Sequence, residues 1–118
     1  MKEMRLAMTP ERRVKNSVRK VLEKLGAYYT MPVTGGFGNS GAPDFIVCLR
    51  GRFLGIECKA GKNKPTPLQE KNLHQIEDAG GMAYVINEDN VGTFETFVIK
   101  LITSIELERL DDFTPSVP

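Results

Sequence analysis

Pro43-Asp44-Phe45-Ile46-Val47-Cys48-Leu49, Arg50-Gly51-Arg52 and Phe53-Leu54-Gly55-Ile56-Glu57-Cys58-Lys59 form the stretch that decides the fold. Two apolar, β-branched runs flank a short glycine-containing break, which is the pattern of a β-hairpin. With Arg50-Gly51 as a two-residue turn, Leu49 pairs with Arg52, Val47 with Leu54, and Asp44 lies opposite Glu57. A bulge would shift this register by one. Side chains alternate faces, so Glu57 and Lys59 point one way and Ile56 and Cys58 the other. Cross-strand carboxylates with Cβ atoms about 5 Å apart repel. A hard divalent cation taking oxygen ligands is the natural compensation.

Outward from the hairpin, Thr9-Pro10-Glu11 opens a helix, with Thr9 as N-cap and Pro10 in the first turn. Val14, Val18, Val21, Leu22 and Leu25 recur at helical spacing and Gly26 ends the run. Residues 27–33 read as a strand, and 34–42 as a glycine-rich loop. After the hairpin comes a basic loop over 60–65. A second helix starts at Thr66-Pro67-Leu68-Gln69 and stops at Gly80-Gly81. Residues 82–86 read as a buried strand. Residues 91–104 carry Phe94, Phe97, Val98 and Leu101 at helical spacing, though their β-branched content leaves a strand open. The order α-β-β-β-α-β-α predicts an α/β fold, a mixed sheet flanked by helices, in one domain over 1–118. Its core is expected over about 9–104, followed by an acidic, frayed tail at 105–118.

The chain of 118 residues is 41% hydrophobic and 26% charged, ordinary for a globular protein. Its net charge of +1 conceals an asymmetry. Residues 1–75 hold 14 Lys+Arg against 6 Asp+Glu, whereas residues 76–118 hold 2 against 9. A basic part beside an acidic one is the footprint of a protein that meets phosphates with part of its surface, although charge runs are usually only solvated faces. No apolar run approaches the roughly 20 residues needed to span a membrane. No apolar signal segment follows the Met-Lys-Glu-Met start, so a cytoplasmic protein is expected. Cys48 and Cys58 are too few for a disulfide framework and are expected to be small buried hydrophobes. His74, the single histidine, projects to the solvent face of its helix, which removes histidine-dependent general-base mechanisms. The 35–41 loop lacks the Gly-Lys-Ser/Thr of a phosphate-binding loop, so no nucleotide cofactor is expected. A flexible connector is its default reading, with Phe37 as a stacking or wedge group the alternative.

The hairpin chemistry follows from its residues. Asp44 and Glu57 are expected to hold Mg²⁺ or Mn²⁺, with the backbone carbonyl of Cys58 as a further ligand. Such a metal polarises a scissile phosphate and lowers the pKa of a bound water. Lys59, on the same face, is placed to orient or help deprotonate that water and to balance charge on the phosphate. The bland alternative is an exposed Glu57–Lys59 charge pair, with Asp44 a turn residue after Pro43. On the second helix Leu68, Gln69, Asn72, Leu73, Ile76 and Ala79 fall within one sector of roughly 140°. Gln69 therefore either caps the helix through a Thr66-x-x-Gln69 box or reaches the metal-site water or a phosphate. Glu11, on the apolar stripe of the first helix, either complements the helix dipole or is an outer metal ligand. Arg12, Arg13, Lys62 and Lys64 are candidate DNA contacts.

Gly41-Ala42-Pro43-Asp44-Phe45, Ile56-Glu57-Cys58-Lys59 and Gln69 in the following helix together resemble the PD-(D/E)xK nuclease superfamily. Within it the chain is similar to phage-type, stand-alone VRR-NUC domains over about residues 9–86, including Tyr28-Tyr29, Gly35-Gly36 and Ala79-Gly80-Gly81. The resemblance implies a restriction-endonuclease-like αβββαβ core, here with an extra C-terminal helix, and divalent-metal-dependent hydrolysis of DNA. Asp44, Glu57 and Lys59 match the catalytic Asp, Glu and Lys. Gln69 matches the helix glutamine, and Glu11 the first-helix glutamate. Small members are typically homodimers that cut branched DNA such as four-way (Holliday) junctions, and both properties are implied here by kinship. The other readings are a DNA-binding module without turnover and a restriction-type, sequence-specific endonuclease. The full Asp/Glu/Lys set argues against the first, and the short chain, with little left for a base-reading subdomain, against the second.

Overall fold

The computed structural model describes residues 8–33 and 41–111. Phe37, most of the glycine-rich loop and residues 112–118 of the tail lie outside the described residues. Helix α1 (Pro10–Lys24) is capped by Thr9, whose hydroxyl accepts from the Arg12 N–H at 3.2 Å. It closes in a Schellman motif: Ala27 N–H donates to the Leu22 carbonyl and Gly26 N–H to Glu23, with Gly26 at φ 73°. That closure takes up the Ala27 amide, and Pro32 has none to offer. Strand β1 is accordingly Tyr28–Thr30, shorter than the 27–33 expected.

Strands β2 (Phe45–Leu49) and β3 (Arg52–Cys58) make the hairpin, paired Phe45 to Ile56, Val47 to Leu54 and Leu49 to Arg52. This is the unbulged register read from the sequence. Arg50 (φ 49°) and Gly51 (φ 84°) both adopt the left-handed region, the requirement of a type I′ turn. The cost at Arg50 is offset by its guanidinium, which donates to the Leu25 carbonyl at 3.3 Å and lies 3.8 Å from Glu106.

Helix α2 (Pro67–Asp78) crosses from β3 to β4 (Met82–Ile86), which pairs parallel with β3, and helix α3 (Val91–Asp111) completes the chain. The sheet order β1-β2-β3-β4 is antiparallel until its last, parallel pair. The fold is thus a mixed α+β αβββαβ core with an added C-terminal helix. Alternation along β2 and β3 sends Phe45, Val47, Leu49, Leu54, Ile56 and Cys58 to one face, where Val18 and Leu22 of α1 and Phe94 and Val98 of α3 bury them. Complete burial of such side chains stabilises by about 1.5–3 kcal/mol each. The other face is covered by α2 at Gly55, where a Cβ would run into the Ile76 side chain and lie 3.3 Å from Pro43. Close approach of helix to sheet is what requires glycine here.

Three expectations are corrected. Helix α3 runs to Asp111, not to 104, because Ile105 is buried and the turn of the hairpin holds the last two turns. Arg52 pairs with Glu108 at 3.1 Å, and Arg109 donates to the Arg50 carbonyl at 3.3 Å. Leu68 and Ala79, projected onto the buried stripe of α2, are exposed. The helix packs through Leu73 and Ile76, and Leu68 lies against Gly41. Cys48 is exposed, since it sits on the α2 side of the sheet where the helix does not reach, whereas Cys58 is buried in the core. Glu11 lies part-exposed in the first turn of α1, 3.9 Å from Lys15, where the helix-dipole reading puts it. Among the described residues no helix is long and apolar enough to cross a membrane.

Candidate active site

The start of β2, the end of β3 and the N-terminal turns of α1 and α2 converge on one place. Asp44 immediately precedes β2, and its Oδ2 accepts the Cys58 amide at 2.7 Å. The bond locks the carboxylate across from Glu57, where the hairpin register puts it. Cys58 offers no thiolate there. Its side chain faces the core, and burial, reinforced by the Asp44 and Glu57 charges, raises its pKa well above the ordinary thiol range. Only its backbone carbonyl is available as a ligand.

Glu57 is 2% exposed, the only buried charged residue among those described. Its Oε2 accepts from Gln69 Nε2 at 3.0 Å and lies 3.7 Å from Lys59 Nζ. Its Oε1 is buried and has no hydrogen-bond partner. Burial, then the Asp44 charge, push the Glu57 pKa up to about 8, against the pull of Lys59. Lys59 follows Glu57 on the same face, with its side chain 13% exposed. Its own amide donates to the Ile86 carbonyl at 2.9 Å, which carries the parallel ladder one step past β3 and fixes the lysine's origin.

Gln69 forms the cap read from the sequence and also touches the site, through the Glu57 carboxylate. Its Oε1 accepts the Thr66 amide at 2.9 Å while its own amide donates to Thr66 Oγ1 at 3.2 Å, completing the capping box. Its Nε2 remains free to donate to Glu57. One side chain thus starts α2 and orients the buried carboxylate.

Sequence reasoning missed Lys15, whose Nζ lies 3.4 Å from Asp44 Oδ1 and 3.9 Å from Glu11 Oε2. Its position four residues after Glu11 was the available signal. Glu11 thus borders the site through Lys15. Among the described residues no three acidic, cysteine or histidine side chains converge as a ready metal cage. Two carboxylates and a carbonyl, with water making up the rest, is nevertheless an ordinary donor set for Mg²⁺ or Mn²⁺. The unpartnered Glu57 Oε1 is the vacancy in bonding that such an ion fits. Arg12, Arg13, Lys62 and Lys64 are exposed and make no ion pair with these carboxylates. The loop bearing the two lysines is tied down by Glu88, which accepts the Gly61 amide at 2.6 Å. His74 lies on the solvent side of α2, 3.8 Å from Glu77. The groove of about 610 Å³ between the hairpin tip and the C-terminal half of α2, lined by Phe53, Asn72, Ile76 and Gly81, is at the other end of that helix from Gln69.

The fold has counterparts among solved structures. One, described as a VRR_NUC domain, is 29% identical, with a TM-score of 0.64 over 73% of this chain and 94% of its own. A second, described as a VRR_NUC domain protein, is 22% identical, with a TM-score of 0.58 over 81% and 93%. The chain shares the fold of these VRR-NUC domains and resembles the first of them in sequence. That fold is of nuclease type. No family model and no curated protein matches the sequence.

Proposed function

We propose that this chain is a VRR-NUC domain and a divalent-metal-dependent deoxyribonuclease that hydrolyses phosphodiester bonds. The observation that carries the reading is the buried Glu57 carboxyl, held opposite Asp44 with one oxygen unsatisfied. Asp44, Glu57 and the Cys58 carbonyl are the residues to hold Mg²⁺ or Mn²⁺. When bound, such an ion supplies Lewis-acid activation of a phosphate and a more acidic water. Gln69 keeps Glu57 aimed through its 3.0 Å hydrogen bond. Lys59 orients the attacking water and balances the negative charge that builds on the phosphate. The basic residues 12, 13, 62 and 64 meet the DNA backbone outside the reacting centre. For the substrate we propose branched DNA, in particular four-way junctions, cut by a homodimer with one site per strand. Kinship with small VRR-NUC domains supports that choice.

Incubation of the full chain with plasmid, linear duplex and a synthetic four-way junction, in Mg²⁺, Mn²⁺ or EDTA, tests both levels. Metal-dependent cutting of the junction in preference to the others is expected. Absence of cutting in metal contradicts the nuclease, and equal cutting of all three contradicts only the choice of substrate. Lys59→Ala is expected to retain junction binding and lose about 10²–10⁴ in rate. Light scattering during size exclusion reads the dimer directly.

A further inference from the structure

We infer that Lys15 is a placeholder cation, holding Asp44 in the metal-free protein and giving way when a divalent ion binds. The inference rests on the metal-centre reading above. Asp44 has two oxygens, and Oδ2 is committed to the Cys58 amide at 2.7 Å. Oδ1 lacks that backbone donor and is the more open of the two to an incoming ion, and it is the oxygen that Lys15 faces at 3.4 Å.

A divalent ion bonded to Oδ1 would share that oxygen with the ammonium, and the two like charges would repel one another even at the screening of a protein surface. Lys15 therefore has to move as the ion arrives. Glu11 provides the place to move to. It stands one helical turn earlier on the same helix, already 3.9 Å from Nζ, and both side chains are about one-third exposed, so the swing meets little packing.

Lys15 therefore acts through Asp44 as a positioning residue. It neutralises the carboxylate pair enough for the hairpin to close without metal, and in exchange weakens metal binding. It also separates Glu11 from Asp44, which makes Glu11 a resting partner for the lysine ahead of a ligand.

Calorimetric Mn²⁺ titration of the full chain, paired with thermal unfolding in EDTA and in saturating Mn²⁺, tests this. Lys15→Met is expected to bind Mn²⁺ about three- to fivefold tighter, the equivalent of one partly exposed ion pair. It is also expected to unfold at a lower temperature in EDTA and to gain more from Mn²⁺ than the wild type. Lys15→Arg keeps the charge and should match the wild type in both. Lys15→Gln carries the same expectation as the methionine variant should the latter not fold. Unchanged or weaker Mn²⁺ binding by the uncharged variants overturns the inference, as does an equal loss of melting temperature with and without metal. A wild type that binds no Mn²⁺ overturns the metal centre itself, and the inference with it.

Discussion

A carboxyl group that is 2% exposed, faces a second carboxylate and keeps one oxygen without a donor is costly unless it holds a proton or gains a cation. Glu57 meets this in the metal-free chain by its raised pKa of about 8, caused first by burial and then by Asp44. The sign of the linkage follows. The unfolded chain releases this proton near the ordinary value of 4.5, the folded chain only near 8, so between them the folded state holds more protons. Stability from this group is complete below 4.5 and is lost as pH rises through 8. In EDTA the urea midpoint is therefore expected to fall as pH rises through that window, and Glu57→Gln should flatten the slope. In metal the same proton is a competitor, so Mn²⁺ affinity should strengthen by up to about tenfold per pH unit until the group is ionised. A midpoint independent of pH in both proteins would mean that Glu57 is ionised throughout.

At the scale of elements, the hairpin and α2 carry the site, and their contact is fixed at Gly55. A methyl group there meets the Ile76 side chain and, at 3.3 Å, Pro43, the neighbour of Asp44. Gly55→Ala is expected to destabilise by about 1–3 kcal/mol, as overpacked sites do. Adding Ile76→Ala should return part of that loss in a double-mutant cycle, read by urea denaturation. Additive losses would place the strain elsewhere. These two elements were also the legible ones. Turn length and strand alternation set the register, which brought Asp44 to Glu57, and the Thr66-Pro67-Leu68-Gln69 pattern gave the cap. Less legible was what depends on contacts distant in sequence. Leu68 and Ala79 share a helical face with Ile76, but Leu68 lies against Gly41 and Ala79 borders the open groove beside the hairpin tip. Cys48 alternates correctly within its strand, yet it stays exposed. The acidic 105–111 segment reads as a polar tail until Arg50 and Arg52 of the hairpin meet its Glu106 and Glu108, and its own Arg109 reaches the Arg50 carbonyl. Lys15 was hidden for the same reason, because its partner Asp44 lies in another element.

At the scale of the molecule, the site uses the basic half of the chain. Asp44, Glu57, Lys59 and Gln69 all fall within residues 1–75, which hold 14 Lys+Arg against 6 Asp+Glu. The acidic remainder supplies β4 and α3, whose inner faces close the core and whose Glu106 and Glu108 bind the hairpin's arginines. A polyanion is steered to the first part and repelled from the second. The proposed nuclease action rests on Asp44, Glu57 and Lys59 within that basic part. The most direct measurement is the cleavage rate of a labelled four-way junction across a Mn²⁺ titration, for the wild type and Glu57→Gln together. The account predicts cutting by the wild type that vanishes in EDTA. For the folded variant it predicts a rate lower by at least about 100-fold, the loss typical of removing a group that stabilises the transition state. Equal rates for the two proteins, or no cutting by the wild type at any Mn²⁺ concentration, would contradict it.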